Sequence, residues 1–212
     1  MDKALGIVIP YYCNSENAEI GFKNLMEVLK PQFDTEKRAK LVIVEDGQES
    51  KWLDQYKSDN IEIIRLKENK GVSNARNIGI DRLIKDCVYI SFIDSDDMVA
   101  ENYIDRLTRY ACDGTHEIIE TNIVANGRMQ TLLEYNQHRC SVWSYAIKSS
   151  VIGKKRFKKD IQIGEDVDFM KRVIDLEKQR KIRCNTVYYY NYGSNPNSLM
   201  MQFRNKKIGI KR

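Results

Sequence analysis

Hydrophobic residues form four short, nearly uninterrupted runs in the first hundred positions, at residues 5–9, 41–44, 61–64 and 88–93. Runs of this length, rich in Val and Ile, are typical of strands buried on both faces of a parallel sheet. Between the runs, apolar residues recur at helical spacing, as they do at Phe22, Leu25, Met26 and Leu29. The pattern predicts a helix after each strand, and therefore an α/β domain with right-handed crossovers.

The alternation loosens after about residue 108. Asn126 and Gly127 separate residues 118–124 from residues 129–133, which favours a β-hairpin at this point. A second amphipathic helix is predicted over residues 167–176. Since neither a linker nor a repeat interrupts the sequence, we interpret the second half as an extension of the same domain.

Charge is unevenly distributed over the 212 residues. The sequence has 35 Lys and Arg against 30 Asp and Glu, a net charge of +5. Residues 204–212 hold five of the cations and no acid, so the remaining 203 residues carry 30 charges of each sign. A neutral body with a basic tail argues against a nucleic-acid partner, because counterion release requires a cationic face.

We recognise neither a targeting signal nor a cysteine-based metal or redox motif in the sequence. The first predicted strand begins almost at once, without the apolar segment of a secretory signal, and no apolar run approaches the ~20 residues that span a bilayer. Five cysteines are scattered without the spacing of a zinc or redox site. We expect reduced thiols in the core and a cytoplasmic location.

Carboxylates follow two of the predicted strands. Asp46 ends the second run, and Asp94, Asp96 and Asp97 follow the fourth. In an open parallel sheet, ligands bind beyond the carboxyl ends of the strands. Three carboxylates within four residues repel one another unless a cation compensates them, although a helix N-cap is a rival explanation for one of them.

A hard divalent cation, Mg²⁺ or Mn²⁺, is the natural partner of such carboxylates, together with phosphate oxygens. The sequence contains neither a P-loop nor a Gly-x-Gly-x-x-Gly segment after the first strand. We therefore expect a phosphorylated ligand that is held mainly through the metal.

Several segments, taken together, resemble the successive signatures of family 2 glycosyltransferases with the GT-A fold. They are Ile-Val-Ile-Pro-Tyr-Tyr at 7–12, Val-Glu-Asp-Gly at 44–47, Asn-Lys-Gly-Val-Ser-Asn-Ala-Arg-Asn-Ile-Gly at 69–79, Phe-Ile-Asp-Ser-Asp-Asp at 92–97 and Gly-Glu-Asp at 164–166. The resemblance implies one domain over residues 1–203, with a Rossmann-like, mostly parallel sheet flanked by helices and a smaller antiparallel extension. It also implies a nucleotide-binding half to about residue 100, an acceptor-side half from 101 to 203, and a separate basic tail.

The resemblance further implies inverting transfer of a sugar from a nucleoside diphosphate, with UDP favoured, in polysaccharide or glycoconjugate biosynthesis. The nucleotide site would comprise Pro10, Tyr11, Tyr12, Asp46, Arg76, Asp94 and Ser95. The metal, Mn²⁺ or Mg²⁺, would be held by Asp96 and Asp94. The catalytic base would be Asp166, and the acceptor, a saccharide or lipid-linked saccharide, would meet Trp143 and Glu165. These roles agree with the chemistry, since the metal neutralises the leaving diphosphate and one carboxylate suffices as the base.

Each assignment has a structural rival. Asp46 could belong to a simple turn, Arg76 could be a solvated helix residue, and Asp166 could be ordinary negative charge at a helix start. Trp143 and the tyrosines at 188–190 suit a core at least as well as a sugar platform.

Rivals also exist for the function. A non-catalytic nucleotide-sugar-binding subunit of the same fold is the main alternative. A sugar nucleotidylyltransferase would require a Gly-rich loop after the first strand, where Pro10 and the residues after it stand instead. The basic residues within 154–159 could meet an anionic acceptor or form a solvated loop, and the tail at 204–212 could contact a membrane.

Overall fold

The computed structural model describes residues 3–125, 141–161, 163–175 and 178–190, together with the backbone of residues 128–130. The strands in these ranges are β1 (Lys3–Tyr11), β2 (Ala39–Asp46), β3 (Ile61–Leu66), β4 (Cys87–Phe92), β5 (Met98–Val99), β6 (Ile118–Ala125), β7 (Arg128–Gln130), β8 (Tyr145–Lys148) and β9 (Lys181–Tyr190). The α-helices are α1 (Glu16–Thr35), α2 (Val72–Leu83), α3 (Tyr103–Asp113), α4 (Ser149–Ile152) and α5 (Glu165–Val173), and the two 3₁₀ helices are Lys51–Tyr56 and Val142–Ser144.

All these strands belong to one mixed sheet, in the order β3-β2-β1-β4-β8-β6-β9-β5, with β7 paired to β6. The first four strands are parallel to one another. β8 then pairs antiparallel with β4 and carries the sheet into the second half of the chain. The predicted α/β class and the four predicted strands are confirmed, and the antiparallel pairs lie on the side predicted for the extension.

The connection from β2 to β3 differs from the predicted helix. It contains only the 3₁₀ helix Lys51–Tyr56. The Glu45 carboxylate accepts the Ser50 N–H at 2.6 Å, which draws the start of this connection back against β2. Turn-forming residues then follow at 58–60, so too few residues remain for a longer helix.

The predicted hairpin is confirmed by the pairing of Ala125 with Arg128 and of Val124 with Met129. Asn126, Gly127 and residues 131–133 lie outside the described residues. The helix predicted over 167–176 is α5, which begins two residues earlier than expected. Gly164, at φ 81°, takes the left-handed conformation that starts this helix, and three acids favour its first turn. Leu176 lies outside the described residues.

Helix α2 packs very closely on β1 at Gly79. A Cβ atom at this position would lie 2.3 Å from Val8 Cγ1, so the approach requires glycine. Helix α2 follows β3 in the chain, but the contact of Gly79 with Val8 holds it against β1, a strand inside the sheet. Arg76 lies on the same helix, and the packing therefore fixes its distance from the sheet.

The four described cysteines are free thiols, as expected. Cys87 and Cys184 are buried, but Cys112 is exposed, so the expectation that every cysteine belongs to the core is wrong for this residue. Cys112 lies near the end of the amphipathic helix α3, on a face that does not contact the core. Cys140 lies outside the described residues. Among the described helices, none is both long enough and apolar enough to cross a bilayer.

Candidate active site

Three neighbouring parallel strands, β2, β1 and β4, bring their carboxyl ends to one edge of the sheet. These ends carry most of the residues predicted to bind nucleotide and metal. Pro10 lies within β1, where it is buried opposite Val44 of β2. The fold therefore brings the predicted segments together at one edge, as parallel strands require.

Asp46 anchors the start of helix α2. Its two carboxylate oxygens accept the backbone N–H groups of Lys70 and Gly71, each at 2.8 Å. Burial raises the pKa of Asp46, and these two hydrogen bonds oppose that rise. Gly47 makes the contact possible, since a Cβ there would lie 2.1 Å from the Asn69 nitrogen. The segment is thus a turn at Gly47 and an anchor at Asp46, and the contact of Asp46 with a nucleotide base stays a prediction.

The two tyrosines after Pro10 have different surroundings. Tyr11 is buried and stacks on Phe22 of α1, with ring centroids 4.2 Å apart. Tyr12 is 43% exposed. Tyr11 therefore belongs to the packing between the end of β1 and helix α1, whereas Tyr12 is accessible to a ligand.

Arg76 joins the two halves of the chain. Its guanidinium donates one hydrogen bond to Asp94 Oδ1 and another to Glu165 Oε1, each at 2.8 Å. The side chain is only 5% exposed and lies over the Phe157 ring at 5.3 Å. The interpretation of Arg76 as a solvated helix residue is wrong, because its charge is buried between two carboxylates.

Asp166 follows Glu165 in the first turn of α5, and the pKa of its carboxyl is raised above the ordinary value for Asp. Burial is the main cause that raises its pKa to about 6, and the neighbouring Glu165 adds to the rise. The Arg76 charge and the Val167 N–H, 2.8 Å from Asp166 Oδ1, oppose it. A carboxylate whose only role was to stabilise the helix N-terminus would have a lowered pKa, because the helix dipole favours its negative charge. The raised pKa suits a group that accepts a proton near neutral pH.

The turn after β4 separates its three carboxylates into different environments. Asp97 is buried and accepts the Tyr188 hydroxyl at 2.6 Å, while Asp94, Ser95 and Asp96 are half-buried. Helix α3 begins later, with Asn102 at its N-cap. The N-cap explanation for these aspartates is therefore wrong.

Asp94 and Asp96 are compatible with a divalent metal. Within the part of the chain that the structure describes, no three His, Cys, Asp or Glu side chains form a ready-made metal site. Two half-buried carboxylates nevertheless offer the hard oxygen donors that Mg²⁺ and Mn²⁺ prefer, and such ions take further ligands from phosphate and water. The residues fit a metal that binds together with a diphosphate.

Residues 6–176, most of the chain, match the family model described as Glycosyl transferase family 2. The chain belongs to this family. The match covers all the strand ends described above and reaches past α5, so the residues joined by Arg76 lie inside the family 2 region.

Curated relatives of this family 2 chain act in teichoic acid biosynthesis, according to their names. The minor teichoic acid biosynthesis protein GgaB of Bacillus subtilis is 25% identical in an alignment of length 212 that covers 90% of this chain and 22% of that protein. The related GgaA is 30% identical over 116 residues, 52% of this chain and 25% of that protein. The chain thus spans a quarter or less of these relatives.

Solved structures share the fold. TarS residues 1–349 of S. aureus in complex with UDP-GlcNAc superimpose with a TM-score of 0.69 at 16% identity, over 88% of this chain and 58% of that one. The mannosyltransferase PcManGT of Pyrobaculum calidifontis, in complex with GDP-Man and Mn²⁺, gives a TM-score of 0.64 at 12% identity, over 92% and 59% of the two chains. These likenesses establish a GT-A fold for the family 2 domain.

Trp143, predicted on the acceptor side, lies in the interior of the family 2 domain. Its ring is stacked between Tyr188, at 4.6 Å, and Tyr190, at 5.0 Å. This position agrees with the core interpretation, and its acceptor role stays a prediction. In the basic segment, Arg156 pairs with Asp81 at 2.7 Å and Lys158 with Asp168 at 2.9 Å, so these two cations are already neutralised.

Sequence reasoning missed the link between α2 and α5. The Asn77 amide donates to the Phe157 carbonyl at 2.9 Å and accepts the Phe157 N–H at 2.7 Å. The Phe157 ring then stacks on Phe169 of α5 at 4.0 Å. The available signal was Phe157 itself, a lone aromatic residue within a basic run.

Proposed function

We propose that this domain is a metal-assisted, inverting glycosyltransferase that uses a UDP-sugar donor. The observation that carries the proposal is the Arg76 bridge from Asp94 to Glu165. It holds the start of α5, and with it Asp166, beside the turn predicted to bind metal and diphosphate. The proposed proton acceptor would thus lie beside the proposed diphosphate site, as transfer from a nucleotide sugar requires.

On the donor side, Asp96 and Asp94 are the residues that would hold Mn²⁺ or Mg²⁺. The metal would supply positive charge that stabilises the departing diphosphate. Tyr12 is the exposed residue of its segment and is available to pack against the nucleotide. Arg76 is positioned to hold the Asp94 side chain in place, since its guanidinium donates a hydrogen bond to Asp94 Oδ1 at 2.8 Å.

On the acceptor side, Asp166 would take the proton of the attacking hydroxyl. The bond from this oxygen to the anomeric carbon forms as the bond to the diphosphate oxygen breaks, and attack from the opposite face inverts the configuration. A raised pKa matches the base to neutral pH, where it is ionised yet retains appreciable proton affinity. Glu165 takes part indirectly, because its charge raises the pKa of Asp166.

The relatives' names and the UDP-GlcNAc complex of TarS support a UDP-N-acetylhexosamine donor and an acceptor in a teichoic-acid-like surface polymer. The acceptor would be a saccharide or a lipid-linked saccharide. A cytoplasmic location and membrane contact through residues 204–212 stay predictions. If deletion of these residues left binding to anionic liposomes unchanged, the membrane contact would be ruled out.

Asp166→Asn tests the proposed base, and Asp168→Asn on the same helix is its matched control. Asp168 pairs with Lys158 and Arg172 away from the bridge. With UDP-GlcNAc, Mn²⁺ and a teichoic acid acceptor, we expect Asp166→Asn to lower the rate of UDP release by about 100-fold or more, with UDP affinity retained. The control should keep most of its rate.

Near-normal turnover by Asp166→Asn would exclude Asp166 as the base. If the unaltered protein bound UDP-GlcNAc but transferred the sugar to none of a panel of saccharide and polymer acceptors, the non-catalytic alternative would replace the proposal.

A further inference from the structure

Tyr188 of β9 contacts the turn after β4 at two points. Its hydroxyl donates to Asp97 Oδ2 at 2.6 Å and accepts the Asp94 backbone N–H at 3.1 Å. Tyr188 and Asp97 are both buried, and each therefore depends on protein partners for its hydrogen bonds. One hydroxyl thus ties the first and last residues of the segment 94–97 together.

The strand that carries Tyr188 also holds the chain just beyond this turn. Val99 of β5 pairs directly with Tyr188, and the Ala100 N–H donates to the Val187 carbonyl at 3.0 Å. The ring itself is fixed by stacking on Trp143 at 4.6 Å, with the planes 13° apart. The hydroxyl is consequently presented to the turn by a rigid ring on a paired strand.

We propose that Tyr188 is a positioning residue that sets the geometry of the Asp94–Asp96 carboxylates for metal-dependent nucleotide binding. This inference rests on the proposed function, because it assumes that the turn binds a metal and a diphosphate. Tyr188 is too buried to meet the ligand, and it acts only through Asp94 and Asp97. Without its hydroxyl, the Asp94 N–H and the Asp97 carboxylate lose a shared partner, and the turn is held less firmly, by contacts such as the hydrogen bond from the Asp97 N–H to the Asp94 carbonyl at 3.2 Å.

The test is Tyr188→Phe, which removes the hydroxyl and keeps the ring that stacks on Trp143. Tyr89→Phe is the matched control, since it also removes the hydroxyl of a buried tyrosine. The Tyr89 hydroxyl donates to the backbone carbonyl of His116, away from the turn after β4. Isothermal titration calorimetry measures UDP binding to each folded variant over a series of Mn²⁺ concentrations and in EDTA.

For Tyr188→Phe we expect the Mn²⁺ concentration at half-maximal UDP binding to rise about 10-fold or more, since a hydrogen bond to a carboxylate is lost. UDP affinity in EDTA should match that of the unaltered protein, and Tyr89→Phe should have a normal Mn²⁺ requirement. An additional Asp97→Asn change should produce a smaller effect in the Tyr188→Phe background than alone, because the two residues act through one contact.

An unchanged Mn²⁺ requirement in a folded Tyr188→Phe protein would overturn the inference. Equal effects of Tyr188→Phe and Tyr89→Phe would also overturn it, because they would reflect general destabilisation. If the unaltered protein bound UDP with no dependence on Mn²⁺, the metal part of the proposed function would have failed instead, and the two failures are therefore distinguishable.

Discussion

Arg76→Gln removes the buried charge between Asp94 and Glu165 while preserving most of the side-chain volume. The guanidinium is 5% exposed and lies 2.8 Å from an oxygen of each carboxylate. Without it, the Asp94 and Glu165 carboxylates lose the cation that both contact, and Glu165 is only 12% exposed. Glu165→Gln removes one negative charge from the same bridge and leaves the Arg76–Asp94 ion pair intact, so it serves as the matched comparison.

The stability change follows from the burial of these groups. Loss of one partner from a buried ion pair costs about 3–5 kcal/mol. We expect the low end, about 3 kcal/mol, because the Asp94 side chain retains 24% exposure and can recover some hydration. That change lowers Tm by about 6–12 °C in a domain of this size. Glu165→Gln should cost only about 1 kcal/mol, since its amide oxygen can still accept a hydrogen bond from Arg76.

The two variants should shift the pH dependence of transfer in opposite directions. The Arg76 charge lowers the pKa of Asp166, whereas the Glu165 charge raises it. The base must be ionised, so activity falls as pH drops through its pKa. Arg76→Gln should therefore move the acidic limb of the kcat profile to higher pH, above about 6. Glu165→Gln should move it to lower pH.

Urea denaturation and pH–rate profiles measure the two effects independently. Shifts of the acidic limb in the same direction would refute the electrostatic reasoning, because both variants remove the Arg76–Glu165 ion pair while the charges that they remove have opposite signs. A loss below 1 kcal/mol for Arg76→Gln would show that the bridge contributes little to folding.

Three further changes test the packing and the ionisation. Asp166→Asn should stabilise the fold at pH 7 by up to about 3 kcal/mol, because the pKa of Asp166 is about 6 in the folded state and lower in the unfolded state, so its ionised form opposes folding. Urea titrations should show this gain fading as pH falls from 6 to 4, where Asp166 becomes protonated. Gly79→Ala should cost about 1–3 kcal/mol through the 2.3 Å contact with Val8, measured by the same denaturation. Gly21→Ala in α1, where a Cβ meets nothing within 4 Å, should instead stabilise by about 0.5–1 kcal/mol.

The sequence pattern was sufficient for the first half of the sheet because most positions of β1, β2 and β4 are buried, and the half-buried edge strand β3 keeps an apolar run broken only by Glu62. Continuous Val and Ile runs follow directly from that burial. β5 has only two residues, too few for a pattern. β9 alternates exposed and buried positions, but polar Thr186 is buried and Tyr189 is exposed, so hydrophobic periodicity did not reveal this strand. The parallel pairing of β6 with β9 depends on contacts between distant parts of the chain.

The sequence was enough to predict the site residues at the strand ends, but not the hydrogen bonds between residues that are far apart in the chain. Asp46 and Asp94 stand out because acids that follow buried strands need a reason. The partners of Arg76 are 18 and 89 residues away, and Tyr188 is 91 residues from Asp97, so neither contact follows from spacing. Tertiary packing alone converts an apparently solvated arginine into a buried bridge.

The nucleotide site that we propose at the carboxyl ends of the strands depends on Asp96 to hold its metal. Calorimetric titration of UDP into the unaltered protein and into Asp96→Ala, each with Mn²⁺ and with EDTA, tests it most directly. We expect Mn²⁺ to strengthen UDP binding in the unaltered protein and to have no effect in Asp96→Ala. Absence of UDP binding under both conditions, or an equal response to Mn²⁺ in Asp96→Ala, would contradict it.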